Sequence, residues 1–180
     1  MTLYKNGFVV AEVNAEDYTY NAWPLSNLPD NKAAVSLTEE ADERWFIKYY
    51  MQHIIPDPDY IKRYVSYCKS VHLDVEVLLF ESPLLFPLYD SGTGEQMEIC
   101  KVLGFDCIGT VYYSYWRTEW NEYEAELSAK NIIPNKYRFL DKLEDALYFI
   151  ELRKQDIAAG LNLENFWREL PVRISVVKLL

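Results

Sequence analysis

The fold class follows first from the apolar run Val75-Glu76-Val77-Leu78-Leu79-Phe80. It is too short for a typical helix and too continuously apolar for a strand with one face in water, so it predicts a strand at the centre of a sheet. Pro83 and Pro87 follow it, and they end regular pairing because proline has no backbone N–H to donate.

Three further stretches have the composition of strands. Phe8–Val13 is rich in β-branched residues and follows the turn former Gly7. Val172–Leu180 alternates apolar and polar residues, which is typical of a half-buried strand. Phe105–Trp116 predicts one bent strand or two, with Gly109 at a bulge or turn. Residues 14–35 predict a long irregular connection with room for a short element of its own.

Capping patterns predict two helices after this connection. Ser36-Leu37-Thr38-Glu39 has the form of a capping box, and a helix from there to about Ile54 would carry aromatic residues at helical spacing. Asp57-Pro58 offers a cap and a proline at the first helical position, which predicts a second helix to about Val71. The two helices would form a hairpin.

Three later helices are predicted in the same way. Glu95–Leu103 has the pattern of a helix closed by Gly104, and Glu164–Glu169 that of a short helix. A longer helix is predicted to start at the capping pattern Asp141-Lys142-Leu143-Glu144 and to stop at Gly160. Its apolar stripe would comprise Leu143, Ala146, Leu147 and Ile150.

Length and composition bound the architecture. The chain has 180 residues, half of them apolar, and a net charge of -10, which favours collapse into one core over disorder. Together with the element pattern this predicts a single α+β domain over residues 1–180. We expect a mainly antiparallel or mixed sheet of four to six strands packed against helices.

Several classes of protein are disfavoured. The chain has neither an apolar run long enough to cross a bilayer nor a secretory signal, so we expect a cytoplasmic protein that does not bind membranes. A pI near 4.7 disfavours nucleic acid as a partner and permits a basic protein. Cys68, Cys100 and Cys107 are odd in number and lack zinc spacing, which predicts reduced core thiols and no metal.

Candidates for catalysis are few. His53 and His72 are the only histidines, and neither has the spacing of a zinc-binding helix. His72 with Asp74 and a cysteine would form a nucleophilic set, but no local signature supports it. Ser91-Gly92-Thr93-Gly94-Glu95 lacks the lysine of a phosphate-binding loop. We therefore expect no cofactor and no catalytic turnover.

The segment Val111–Glu124 is the strongest candidate for binding a partner. It combines tyrosine, tryptophan and arginine, which are enriched at binding hot spots, with acids that would steer it toward a basic protein. The alternative is a buried strand running into a helix, with the aromatic residues in the core and the acids in water. The predicted partner-binding residues are Tyr112, Tyr113, Tyr115, Trp116, Glu119, Trp120, Glu122 and Glu124.

Two stretches resemble bacterial immunity proteins, the partners that neutralise polymorphic or contact-delivered toxins. The first is Glu98–Asp106, with the Tyr-rich segment through Tyr113 and Ser114 after it. The second is Phe139–Ala146, followed by a helix and the terminal Val172–Leu180 strand. The resemblance implies stoichiometric inhibition of a cognate toxin, and the acidic surface would suit a basic nuclease toxin.

Two other functions stay open, together with the oligomeric state. One is a small hydrolase that uses carboxylates and tyrosine in an aromatic cleft, and the other is an acidic decoy that mimics nucleic acid. A homodimer would follow if the terminal strand Val172–Leu180 lay at a sheet edge.

Overall fold

The computed structural model describes residues 2–13, 20–22, 57–83, 97–108, 115–160 and 169–180, without the side chains of residues 12, 13, 20–22 and 115–120. Within these ranges the chain forms five strands and three helices, an α+β fold as predicted. The strands are β1 (Tyr4–Val13), β2 (Tyr20–Ala22), β3 (Val75–Ser82), β4 (Met97–Ile108) and β5 (Leu170–Leu179), and the helices are α1 (Pro58–Ser70), α2 (Tyr115–Ser128) and α3 (Leu143–Ala158). No helix in the described ranges is long and apolar enough to cross a membrane.

The strands form one antiparallel sheet in the order β2-β1-β3-β5-β4. Strand β3 pairs with β1 on one side and β5 on the other, so the central position predicted from Val75–Phe80 is confirmed. Strand β5 lies between β3 and β4. The premise of the predicted homodimer, a terminal strand at the sheet edge, is therefore wrong.

The helix predicted over Glu95–Leu103 is also wrong, because strand β4 begins at Met97. The pairing of β4 with β5 shifts register between Ile99 and Lys101 and again between Val102 and Gly104. Each shift breaks the alternation of side chains that reveals a strand in a sequence. Tertiary pairing along the whole of β5 overrides the helical pattern.

Gly104 serves a different purpose from the helix stop predicted for it. Its φ is +135°, a conformation that favours glycine, and a Cβ at this position would lie 2.5 Å from the carbonyl oxygen of Leu140. Its neighbour Phe105 exchanges two backbone hydrogen bonds with Leu140, of 2.7 and 2.9 Å. Glycine therefore allows the loop before α3 to lie directly against β4.

Helix α1 forms as its cap predicts. The side chain of Asp57 accepts hydrogen bonds from the backbone N–H groups of Asp59 and Tyr60, and Pro58 occupies the first turn. The buried side of α1 packs on one face of the sheet, against Phe8, Val10, Val75, Leu79 and Val177. That buried side consists of Tyr60, Ile61, Tyr64, Tyr67 and Cys68.

Helices α2 and α3 pack on the same sheet face at its other end. The cross-strand pairs Leu79–Ser175, Glu81–Arg173 and Phe105–Arg173 show the continuity of this face, because residues directly opposite each other point to the same side. The cluster there includes Cys107 from β4, Tyr123 and Leu127 from α2, and Ala146, Phe149 and Ile150 from α3.

Helix α3 differs from its prediction in two details, the N-cap and the buried residues. Its N-cap is Lys142, which makes no capping hydrogen bond with its side chain, and Asp141 instead accepts a hydrogen bond from Asn135. Leu147, expected in the apolar stripe, is 42% exposed, whereas Phe149 and Arg153 are buried. Gly160, at φ +73°, follows the end of the helix as predicted.

The opposite face of the sheet carries a third buried cluster. It consists of residues of β1, β3, β4 and β5 together with Phe139 from the loop before α3, namely Val9, Ala11, Leu78, Phe80, Leu103, Ile108, Phe139, Val172, Ile174 and Val176. Strand β3 is therefore covered on both faces, which explains why it is mostly apolar from Val75 to Phe80. The helix predicted at Ser36–Ile54 lies outside the described residues. The helix predicted at Glu164–Glu169 also lies outside them, apart from its last residue, Glu169.

Candidate functional site

The predicted partner-binding segment lies largely in helix α2. Tyr112 and Tyr113 fall outside the described residues, and α2 begins at Tyr115, so the strand predicted to extend to Trp116 is wrong there. Glu122 and Glu124 are exposed, as a partner surface requires. The backbone of four more predicted residues lies in α2, while their side chains are not among the described ones: Tyr115, Trp116, Glu119 and Trp120.

The second half of α2 is anchored through Tyr123 and Leu127, which are one helical turn apart and both buried. The ring of Tyr123 stands edge-on to Phe149 of α3, with the ring centres 5.5 Å apart and an interplanar angle of 85°. Burial raises the pKa of Tyr123, and its hydrogen bond to Asp156 raises it further. These contacts fix the rotation of α2 and so decide which of its residues face solvent.

The solvent-facing part of α2 is acidic. Glu122, Glu124 and Glu126 are exposed, and no lysine or arginine occurs between Thr118 and Ala129. Glu122 and Glu126 are four residues apart on one flank of the helix, where like charges are mildly destabilising. Lys130 follows Glu126 by four residues and lies over the ring of Tyr148, 4.9 Å from its centre. Among the residues that the structure describes, no ion pair compensates the charge of this acidic helix surface, Glu122, Glu124 and Glu126.

Beneath α3 lies a buried ion pair. The Nε of Arg153 donates to Oε1 of Glu169 over 2.8 Å, and the two side chains are 1% and 6% exposed. Glu169 directly precedes β5, so the pair joins α3 to the sheet. Removing charges from water is costly and is offset only by close pairing, so we interpret Arg153 and Glu169 as structural.

Cys107 lies near this ion pair and is unsuited to act as a nucleophile. Burial raises the pKa of its thiol, the charges of Asp106 and Glu169 raise it further, and Arg153 acts in the opposite direction. Its Sγ donates to the carbonyl oxygen of Ala146 over 3.4 Å. The thiol is therefore protonated at neutral pH.

Buried carboxylates in the described ranges are engaged by neighbours. Glu81 accepts a hydrogen bond of 2.8 Å from the Nε of Arg173, its directly opposite residue on β5. Asp106 accepts one of 2.7 Å from the backbone N–H of Cys107. Sequence reasoning missed these pairs, although Glu81 and Arg173 each interrupt an apolar strand. Glu81 and Arg173 are 92 positions apart in the chain, so a single sequence does not reveal that they pair.

The nucleophilic set suggested around His72 is not assembled. His72 and Asp74 are exposed in the turn after α1, where His72 has a φ of 64°. Cys68 is fully buried, and burial raises the pKa of its thiol to about 11. Cys100 is exposed, which corrects the prediction that all three cysteines are core thiols. His53 and Ser91–Glu95 lie outside the described residues, among which no group of His, Cys, Asp and Glu is arranged to hold a metal ion.

A groove that the sequence did not predict runs beside α1. It has a volume of about 430 Å³. One side of α1 forms one wall, and strands β3 and β5 form the floor. The lining residues are Ile61, Lys62, Val65, Ser66, Lys69, Val75, Glu76, Val77, Val176, Val177, Lys178 and Leu179.

Comparison of the chain with protein-family models, with curated proteins and with solved structures finds no match. The resemblance to immunity proteins stays a prediction, and the function has to be argued from the surfaces themselves.

Proposed function

We propose that this protein is a binding protein of the immunity type, which neutralises a basic toxin by stoichiometric binding through the acidic surface of α2. The observation that carries the proposal is the exposure of Glu122, Glu124 and Glu126 on a helix without compensating lysine or arginine from Thr118 to Ala129. A patch of one sign accelerates encounter with a partner of the opposite sign and disfavours the wrong partners.

The anchoring of α2 supports the same function. Tyr123 and Leu127 hold the helix on Phe149 and Ala146, so the carboxylates are presented from a rigid element. A preorganised surface loses less conformational entropy on association than a loop does. The exposure of the acids of α2 supports this proposal, whereas the buried acids Glu81 and Glu169 are engaged in ion pairs.

The experiment uses the tagged full chain to capture partners from cells of the source organism, with two matched variants. Glu122→Gln/Glu126→Gln neutralises two exposed acids of α2, and Glu144→Gln/Glu151→Gln neutralises two exposed acids of α3. We expect the wild type and the α3 variant to capture one basic protein at equal stoichiometry. The α2 variant should bind that protein at least tenfold more weakly at low salt.

Co-expression then tests neutralisation. The captured protein alone should arrest growth, and the wild-type chain should restore it. Capture of no stable partner, equal affinity for both variants, or a captured protein that leaves growth unaffected would contradict the proposed function.

A further inference from the structure

We propose that the groove beside α1 is a second docking site, which accepts an amphipathic helix with an acidic polar side from a protein partner. This surface is separate from the acidic surface of α2 and has the opposite charge. The inference therefore goes beyond the proposed function and does not depend on it.

The floor of the groove is apolar and continues onto the neighbouring strand. Val177 of β5 lines the groove, and Ile99 of β4 lies directly opposite it in the strand register. Ile99 is 46% exposed, although residues opposite each other share one face of the sheet. Val102, further along β4 and opposite the buried Ser175, is 52% exposed. Apolar side chains on this strip thus remain open to water beside a helix that already covers β1 and β3.

The width of the strip suits one helix. Neighbouring strands are about 4.8 Å apart, so the two strands β5 and β4 offer a strip about 10 Å wide. A helix with its side chains is about 10–12 Å across, and packed helices lie about 8–10 Å apart. A helix laid next to α1 on this face would fill the groove and cover Ile99.

The rim of the groove selects the charge of the occupant. Lys62 and Lys69 both line it from α1, and they lie seven residues apart, about 10 Å along the helix. Among the lining residues three lysines stand against the single acid Glu76, in a chain whose net charge is -10. Lys178 has Glu98 directly opposite it on β4. Lys62 lies 3.8 Å from the exposed carboxylate of Asp59, and an ion pair this open to water is weak enough for an acidic partner to replace. We therefore assign the charge of the rim to the two lysines of α1. Two lysines along an apolar channel match acids that flank an apolar helical stripe.

The test uses three synthetic helical peptides of about 16 residues and the full-length protein. Each peptide carries leucine at i, i+3, i+4 and i+7, and the flanking positions are all Glu, all Gln or all Lys. Fluorescence anisotropy of labelled peptide measures affinity at low and at moderate salt. We expect affinity in the order Glu, Gln, Lys, with at least tenfold between the first and the last, and a smaller difference at higher salt.

Matched variants assign the binding to the groove. Lys62→Glu/Lys69→Glu should lower the affinity for the acidic peptide at least tenfold. Lys142→Glu/Lys154→Glu, which changes two exposed lysines at α3, should leave that affinity unchanged. Ile99→Asp should weaken all three peptides, whereas Leu147→Asp, at a similarly exposed residue of α3, should weaken none. All six substituted positions are partly or fully exposed, and circular dichroism checks that each of the four variants is folded.

Three results would overturn the assignment: no preference for the acidic peptide, equal losses in the groove and α3 variants, or binding of dodecanoate in place of the peptides. The last result would mark a site for an anionic amphiphile. If the peptides do not bind the groove but α2 still captures a basic protein, only the docking-site proposal fails. If the peptides bind and α2 captures no protein, only the proposed function fails.

Discussion

The two ends of one sheet face are packed in different ways. Beneath α1 the buried residues are aromatic and apolar, with Tyr60, Tyr64 and Leu79 among them. Beneath α2 and α3 the apolar cluster adjoins the buried ion pair of Arg153 and Glu169. The exposed sides differ as well, since α1 presents lysines along its groove and α2 presents glutamates.

This contrast separates the charges that stabilise the fold from those that are available for binding. At the α2–α3 end the buried charges are paired across elements, so they position the helices and leave the exposed carboxylates of α2 to interact with other molecules. At the α1 end, the buried side of the helix is apolar and aromatic, and three tyrosines and Ile61 fill the interface without the help of an ion pair. We therefore expect the two ends to respond differently to the same kind of change.

The largest effect is expected from Arg153→Met, because it leaves Glu169 buried without its partner. The free energy of unfolding should fall by about 3–5 kcal/mol, as measured by urea denaturation. Arg153→Met combined with Glu169→Leu should recover most of the loss. The exposed neighbour gives the control, since Lys154→Met should change stability by no more than about 0.5 kcal/mol. Equal costs at positions 153 and 154 would show that the ion pair does not hold this end.

A smaller loss is expected from Gly104→Ala, which adds a Cβ 2.5 Å from the carbonyl oxygen of Leu140 at a φ of +135°. We expect a cost of roughly 2–4 kcal/mol from backbone strain and overpacking. Gly160→Ala is the control, because its Cβ meets nothing within 4 Å, and should cost about 1 kcal/mol for the left-handed backbone. In Gly104→Ala, amide hydrogen exchange should accelerate first in α3 and in the loop before it. Equal acceleration in α1 would show that the two ends of the sheet face do not respond independently.

Alkaline pH tests the apolar character of the α1 end through Cys68. Its pKa rises from the ordinary value of 9.0 to about 11 because of burial, so the folded state favours the protonated thiol. The resulting stability is fully present below pH 9 and is lost as pH rises through 11. The free energy of unfolding should therefore fall more steeply between these pH values in the wild type than in Cys68→Ala. Parallel curves would mean that Cys68 is not desolvated.

The smallest change in stability is expected on the exposed side of α2. Glu122→Gln/Glu126→Gln should alter the free energy of unfolding by less than about 0.5 kcal/mol, with a slight gain from relief of like charges one turn apart. Thermal unfolding followed by circular dichroism measures it. A loss of more than 1 kcal/mol, on the order of a lost hydrogen bond, would show that these carboxylates stabilise the helix and would weaken the argument for a partner.

Local patterns in the sequence were sufficient for much of the fold. The centre of the sheet followed from the continuous apolar run Val75–Phe80, and α1 followed from Asp57-Pro58, because both signals are contained within a few residues. Strand β4 was missed because its two register shifts disguise the alternation. The start of α2 at Tyr115 was missed because tyrosine and tryptophan favour strands as much as they favour interfaces.

Less of the candidate sites was within reach of the sequence. The exposure of Glu122 and Glu124 was predicted. The burial of Tyr123 depends on Phe149 and Asp156, which belong to the next helix, α3. The groove depends on the distance between α1 and β5, which are more than 100 residues apart. Neither spacing nor composition carries that information.

The inner position of β5 has a consequence for how the protein reaches its native state. Among the described strands, β1 to β3 do not pair with β4, and β5 pairs with both β3 and β4. The contact between Glu81 and Arg173 closes a loop of 92 residues, and the entropy of such a closure is lost before the pairing is gained. During synthesis, the edge of β3 stays without its native partner until residues 170–179 have left the ribosome. The interval before that moment is when this chain is most exposed to pairing with the wrong strand.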